Sequence, residues 1–347
     1  MGTKQEAKEE AKVEARVEAK EEARVEAKEE ASVKAKIRFG AKICSLLNIR
    51  YPIFQGGMAW ISDANLAAAV SEAGGLGVIA AGQAPADYVR EQILKAKSLT
   101  NKPFGVNVML MSPHTEEVAG LLAEEHVDVI ITGAGNPSKY MKIWQHSKVI
   151  PVIASTALAK MMARGGAAAV IAEGCEAGGH VGDLTTMALL PQVCDVVSIP
   201  VIAAGGIGDG RGIAAAFMLG AAGVQVGTRF LLAEECPVHA KYKELVLKAK
   251  DIDTMATGRR LGHPVRAIKN PFSREFLARE YDVSITNDAL EAFGAGALKR
   301  AAIDGDTAGG CFMAGQISGL LSKEQPARDI INEMFTEADE VIKKWVN

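Results

Sequence analysis

Residues 172–182 read AEGCEAGGHVG, so His180 directly follows the glycine pair Gly178 and Gly179. An imidazole gives or takes a proton near neutrality, and paired glycines let the chain turn sharply or a flat group lie close to the backbone. Glu173 and Glu176, in the same stretch, are acids that could hold the histidine tautomer or accept from ligand hydroxyls. Two later stretches run into glycines ahead of a helix-like or turn segment: 200–206 (PVIAAGG, continued to Gly210) and 224–230 (VQVGTRF). Such loops cradle phosphate through backbone N–H groups and helix N-termini, and Thr228 would add a hydroxyl to Gly205, Gly206 and Gly227. Upstream, FQGGMAW (54–60) sets Gly56, Gly57 and Met58 in a row, and Asn107 stands in GVN. Small residues admit a flat ring, and an Asn amide can serve a donor/acceptor edge such as an isoalloxazine presents. Taken singly, each is ordinary turn chemistry.

The elements needed to gather them are strands and helices in alternation. Short apolar runs at 51–55, 76–80, 104–109, 127–131, 149–153, 167–171, 200–204 and 223–226 read as strands, with amphipathic segments such as 63–73, 85–98, 115–125, 157–164 and 210–219 between them. Eight alternations predict an α/β fold of the (β/α)8 TIM barrel type, with an open doubly wound sheet as the alternative. His180 would then project from the carboxyl end of a strand, where such barrels keep their chemistry, and the two Gly-rich loops would follow the seventh and eighth strands. The expected organisation is a charged extension over 1–40, the barrel over 41–235 and a helical cap over 236–310. A return segment with a last helix over about 327–345 would complete the chain, within 311–347.

Composition narrows the function. Hydrophobic residues make up 48% but aromatics only 5%, with 35 glycines, which suits βα units joined by Gly-rich turns. No stretch reaches about 18 uninterrupted apolar residues, so no membrane span is expected. The net charge of −3 argues against nucleic acid as a partner. Cys44, Cys175, Cys194, Cys236 and Cys311 never fall in CxxC spacing, which predicts neither a disulfide framework nor a metal site and suits a reducing cytoplasm. Residues 5–36 are eight tetrapeptides, six of the form xEA(K/R) followed by EEAS and VKAK. A four-residue period drifts about 40° per repeat and builds no fixed apolar face, so a solvated helix or tail is expected there, with a partner-binding arm as the alternative.

Taken together, YPIFQGGMAW, KPFGVN, TGAGNPSKY (132–140), AEGCEAGGH, IPVIAAGGI, VQVGTRF, AIKN (267–270) and MAGQISGL (313–320) resemble the FMN-dependent enoyl-acyl-carrier-protein reductases of the FabK type, within the nitronate monooxygenase and 2-nitropropane dioxygenase superfamily. The similarity runs from Ile43 to about residue 345 and omits the repeat. It implies FMN across the barrel mouth, its phosphate on Gly205, Gly206, Gly227 and Thr228. Ring and ribityl would meet Gly56, Gly57, Met58, Asn107, Glu173, Gly178, Gly179 and Gln225, with Ala314, Gly315 and Gln316 returning from the carboxyl end. It further implies NADH or NADPH as co-substrate, an enoyl thioester on an acyl carrier protein, a homodimer, and His180 as hydrogen-bond or proton donor to the substrate. Glu173 and TGAGNPSKY look like the reductase; the monooxygenases usually carry Gln at the former. Cys175 is expected to be a buried bystander.

Three readings remain open: the reductase, a nitronate monooxygenase using the same histidine as base, and a flavin- or phosphate-binding protein in which the histidine is incidental. Acyl carrier proteins are acidic as a class, so docking on this net-acidic chain needs a local basic patch. Arg259, Arg260, Arg266, Lys269, Arg274 and Arg279, against a single Glu275, are the expected patch; a solvated cap face and a grip on a 2′-phosphate are its alternatives.

Overall fold

The computed structural model describes residues 40–346; the charged repeat at 5–36 lies outside the described residues. The chain enters at Gly40 with φ 81°, where a Cβ would sit 2.5 Å from Pro52 Cβ and 2.8 Å from the Ala222 carbonyl oxygen. Only glycine fits that approach. The helix that follows, α1 (Ala41–Leu47), inserts Ile43 and Leu47 into the same apolar cluster as Phe54, Val78, Ile131, Ile171 and Ile202. It plugs the amino-terminal end of the barrel.

All eight expected strands form, and they are parallel: β1 (Ile53–Gln55), β2 (Gly77–Ala80), β3 (Phe104–Met109), β4 (Val129–Gly133), β5 (Lys148–Ile153), β6 (Val170–Glu173), β8 (Val201–Ala204) and β9 (Gly223–Val226). Their order is β1-β9-β8-β6-β5-β4-β3-β2, and a Phe54–Leu76 bridge joins the two outer strands and closes the barrel. The helices α2 (Ala64–Glu72), α3 (Ala86–Leu99), α4 (Thr115–Glu124), α5 (Thr156–Arg164), α6 (Thr186–Val196) and α7 (Gly210–Met218) lie outside. Asp63 and Ser155 cap α2 and α5 by accepting from Leu66 N and Leu158 N, each bond supporting its helix by about 1 kcal/mol.

The structure departs from the sequence expectation in three places. Between β4 and β5 there is a single 3-10 turn (Pro137–Lys139), because Asn136 accepts from Ser138 N and proline follows it directly. Gly179–His180 forms a two-residue strand, β7, which leaves the barrel to pair antiparallel with the cap. The cap is not purely helical: with α8 (Ala240–Lys248) it holds the hairpin β10 (Thr254–Thr257) and β11 (Val265–Ile268), followed by α9 (Pro271–Tyr281), α10 (Asn287–Gly294) and the short α11 (Ala297–Lys299). The last helix, α12 (Ala327–Val346), packs on α7 and α2, the place an eighth barrel helix would take.

Alternation along the strands sorts the side chains. Val224 and Val226, Val201 and Ala203, and Val170 and Ala172 pack outward against the helices, whereas Phe54, Ile202, Ala204 and Ile171 fill the inside. With a period of two, Gln225, Glu173 and Asn107 therefore face the interior, above an apolar floor.

Candidate active site

The carboxyl ends of the strands bring the predicted residues to one mouth. Gln225 pairs in register with Ala204 and Phe54, and Glu173 with Ala204, so these side chains share one interior surface. Across the barrel, Asn107 pairs with Ala80 and Ile131. The Gly56–Gly57 turn lies between them. A Cβ on Gly56 would lie 3.4 Å from Gly227 Cα and 3.7 Å from Gln225 Cγ, and one on Gly57 would overlap Asn107 at 2.4 Å. Met58 reaches over Gly227, its sulfur 3.8 Å from where a Cβ would stand. The glycines are thus set by close approach of neighbouring strands.

Two features of this layer call for a polar ligand. Gln225 is buried, yet its Oε1 has no hydrogen-bond partner, an arrangement that costs about 1–3 kcal/mol when nothing completes it. Burial pushes the Glu173 carboxyl up to about 7.

The 174–180 loop folds over the mouth and is tied at several points. The Glu176 carboxylate accepts from Thr186 N at 2.9 and 3.0 Å and from Thr186 Oγ1 at 3.0 Å, at the start of α6. Glu176 is therefore committed to the loop and does not serve His180 as the sequence suggested. Cys175 is half-buried rather than buried, and its carbonyl accepts from Arg266 Nε at 2.9 Å. The return segment seals the far side: Gln316 N donates to Glu176 O at 2.9 Å and Gly315 N to Thr228 Oγ1 at 2.9 Å. A Cβ on Gly178 would strike Ala314 at 2.7 Å. Ala314 and Gly315 are buried while the Gln316 side chain is exposed.

On the expected phosphate side, Gly205 (φ 89°) and Gly206 (φ 70°) turn the chain after β8 in a conformation that favours glycine. The N-terminus of α7 is not free to help. Asp209 accepts from Arg211 N and Gly212 N, and Gly210 N donates to Glu337 Oε2 at 2.7 Å. That leaves the Gly205–Gly206 turn and Gly227–Thr228, where a 3-10 turn (Thr228–Leu232) begins, as the donors nearest the mouth.

His180 does not project from the carboxyl end of β6; it stands seven residues beyond Glu173, on β7 opposite Val265 of the cap hairpin. The residue is exposed. The protein around it disfavours the charged form and the His263 imidazole adds like charge, so the pKa lies below its ordinary 6.5 and the ring is neutral at pH 7. A neutral imidazole can donate one hydrogen bond and accept another.

Sequence reasoning missed three supports. Arg266, counted among surface charges, is buried, pairs in register with Gly179 and also donates to Thr254 Oγ1 at 3.2 Å. Tyr242 donates to Met313 O at 2.7 Å and packs on Phe312, fixing the return segment. Thr186 carried no signal at all, since its role depends on Glu176 ten residues earlier. Of the other expected patch residues, Arg260 donates to the carbonyls of Glu280, Asp282 and Ile285, at the end of α9 and just beyond it. Arg279 pairs with Glu275 at 2.7 Å, Arg259 with Asp183 at 3.1 Å, and Lys269 donates to Ile252 O. Much of that basic stretch is already paired within the molecule.

Comparison with known proteins bears on this geometry. The structure of FabK from Thermotoga maritima is 47% identical, covers 87% of this chain and 97% of its own, and gives a TM-score of 0.85. That of nitroalkane oxidase from Streptomyces ansochromogenes is 29% identical over 87% of this chain and 99% of its own, with a TM-score of 0.78. In sequence, the (3aS,4S,5R,7aS)-5-hydroxy-7a-methyl-1-oxo-octahydro-1H-indene-4-carboxyl-CoA dehydrogenase of Mycobacterium tuberculosis is 31% identical, spanning 87% of this chain and 97% of that protein. The model of the nitronate monooxygenase family matches residues 41–120 and 116–337, and the chain belongs to that family of oxidoreductases.

Proposed function

We propose that this protein is an FMN-dependent enoyl-thioester reductase that uses NAD(P)H and takes its substrate from an acidic acyl carrier protein. The observation that carries the reading is the mouth layer, in which the unpartnered Gln225 Oε1, Asn107 and the Glu173 carboxyl, lifted to about 7, stand beside the mouth glycines. The residues fit a flavin: glycines where a flat ring must approach, amides for its heteroatom edge, and two Gly turns for a single phosphate. The likeness to FabK and to a dehydrogenase whose name specifies a carboxyl-CoA supports a thioester substrate.

Gly56, Gly57, Gly178 and Gly179 would border the ring, with Gln225, Asn107 and Glu173 meeting its polar edges. Gly205, Gly206, Gly227 and Thr228 would hold the phosphate, and Ala314 and Gly315 would close the far wall. Bound there, FMN supplies hydride transfer from NAD(P)H to the β-carbon of a trans-2-enoyl thioester. His180, neutral at pH 7, would donate a hydrogen bond to the thioester oxygen as negative charge develops there. One such positioned donor is worth roughly 2–4 kcal/mol. A weakly basic imidazole is thus better suited to stabilising the oxygen than to acting as an imidazolium acid. Arg259 and Arg274, both exposed, are the residues of the basic stretch best placed to meet an acidic carrier.

An anaerobic experiment tests the reading. The FMN-reconstituted protein should lose its flavin absorbance on adding NAD(P)H and regain it on adding crotonyl thioester. Reduction of the oxidised flavin by a nitronate, its return on admitting O₂, and no return with the enoyl thioester would instead assign the monooxygenase activity, which a neutral His180 could serve as base. Loss with neither nucleotide would leave a binding protein.

A further inference from the structure

The loop after β1 meets the cap through Trp60 and Lys299: the Lys299 ammonium lies 4.8 Å from the centroid of the Trp60 ring. Trp60 stands where an indole is costly. Its φ is 63°, in the left-handed region that bulky residues avoid, inside a tight turn in which Ile61 N and Ser62 N donate to Met58 O at 3.0 and 2.8 Å. Ser62 Oγ ties the turn down by accepting from Gln55 Nε2 at 2.8 Å and from Met58 N at 2.9 Å. Met58, two residues before Trp60, is the side chain that reaches over Gly227 at the mouth. Backbone strain of this kind persists where the surroundings hold a side chain in one place, and it clusters at ligand clamps. Here the strained residue is half-buried against the main core cluster and carries a cation on its ring.

Lys299 is as firmly placed. Gly296 (φ 70°) turns the chain into α11, and Ala297, Ala301 and Ala302 anchor that segment in the interior. The next residue, Arg300, is committed to the carbonyls of Gly309 and Ala295. Two other cations that lie over rings also hold an acid: Lys139 over Tyr140 pairs with Glu116, and Arg279 over Phe293 pairs with Glu275. The exposed Lys299 pairs with no carboxylate among the described residues. The indole face steadies its ammonium and leaves the N–H donors turned away from the ring free for a ligand. We propose that Lys299, seated on Trp60, grips a phosphate carried by the second ligand of this mouth: the pyrophosphate of the nicotinamide nucleotide or the phosphate of a phosphopantetheine arm. Trp60 is its positioning residue. The proposal rests on the reductase reading, which brings a phosphate-bearing nucleotide and a phosphate-bearing thioester to the mouth in turn.

The chain has three tryptophans, Trp60, Trp144 and Trp345, so the indole N–H signal of Trp60 in the FMN-reconstituted protein can be assigned by NMR with Trp60→Phe. Inorganic pyrophosphate should move that signal in the wild type and in Lys299→Arg, and leave it in place in Lys299→Gln. Trp144, buried against α4, is the internal control. In kinetics, Lys299→Gln should lower kcat/KM about tenfold for NAD(P)H relative to reduced nicotinamide riboside, or for a phosphopantetheine thioester relative to an N-acetylcysteamine thioester, the scale of one hydrogen bond to a charged group. The first result assigns the nucleotide and the second the thioester arm. Lys299→Arg and Trp60→Phe, which keep the charge and the ring, should retain this discrimination, and Trp60→Leu should lose it. The same Trp60 response to pyrophosphate in wild type and Lys299→Gln, or unchanged discrimination in both kinetic arms of Lys299→Gln, would overturn the proposal. A wrong reductase reading would show separately: reduced flavin would not return with crotonyl thioester, while the pyrophosphate response of Trp60 would remain.

Discussion

Glu173→Gln tests the mouth layer through stability rather than turnover. Burial lifts the Glu173 carboxyl from 4.5 to about 7. A group whose folded pKa is raised contributes fully below its unfolded value, and that contribution is lost as pH rises through the folded one. The loss runs from about pH 4.5 to 7, and at 1.36 kcal/mol per unit it amounts to about 3 kcal/mol. About 2 kcal/mol of it falls between pH 5.5 and 8. Glutamine keeps the shape and cannot ionise, so the variant should escape this loss. Urea unfolding of flavin-free wild type and Glu173→Gln at both pH values should give equal slopes, with the wild type losing about 2 kcal/mol more than the variant between them. His180 works in the opposite sense: its lowered pKa contributes stability that is present above 6.5 and lost as pH falls through the folded value. It is common to both proteins and cancels. If the two proteins lose stability in parallel, Glu173 is solvated and its place on the interior face of β6 is wrong.

His180→Ala should keep FMN, since no phosphate contact is lost, and slow flavin reoxidation by enoyl thioester about 10²-fold, read by stopped flow. Asn107→Leu removes a polar partner at the mouth and should weaken FMN binding by about 1–3 kcal/mol, measured by flavin fluorescence titration; undiminished affinity would place Asn107 away from the ring. Arg260→Ala should destabilise the cap, because the Glu280, Asp282 and Ile285 carbonyls, at the end of α9 and just beyond it, lose their donor, and thermal unfolding will show it. Arg259→Glu with Arg274→Glu should leave the fold intact. Association with carrier-bound substrate should slow while turnover of a pantetheine thioester is unchanged, and equal losses on both substrates would refute docking there.

The barrel was legible in the chain because each of its strands is a short apolar run bounded by turns, and local pattern is enough to specify that. Strand 223–226 and strand 104–109 have the bounds read from sequence. The glycines of the mouth were legible too, since a glycine pair after a strand marks a turn whatever lies across from it. What local pattern could not show was who stands opposite. Asn107 touches Gly57 only because β1 and β3 are brought together at the mouth. Gln225 is stranded without a partner because its strand faces inward at that position. Glu176 looks like an acid for His180 in sequence and is claimed by Thr186 in space, and Arg260 looks like a surface charge and is claimed by backbone carbonyls. His180 itself was singled out by its neighbours in sequence, but its lowered pKa comes from burial in the folded protein and then from His263, eighty-three residues later. Sequence fixes residue type and local conformation; burial and through-space charge, which decide protonation, exist only once distant segments meet.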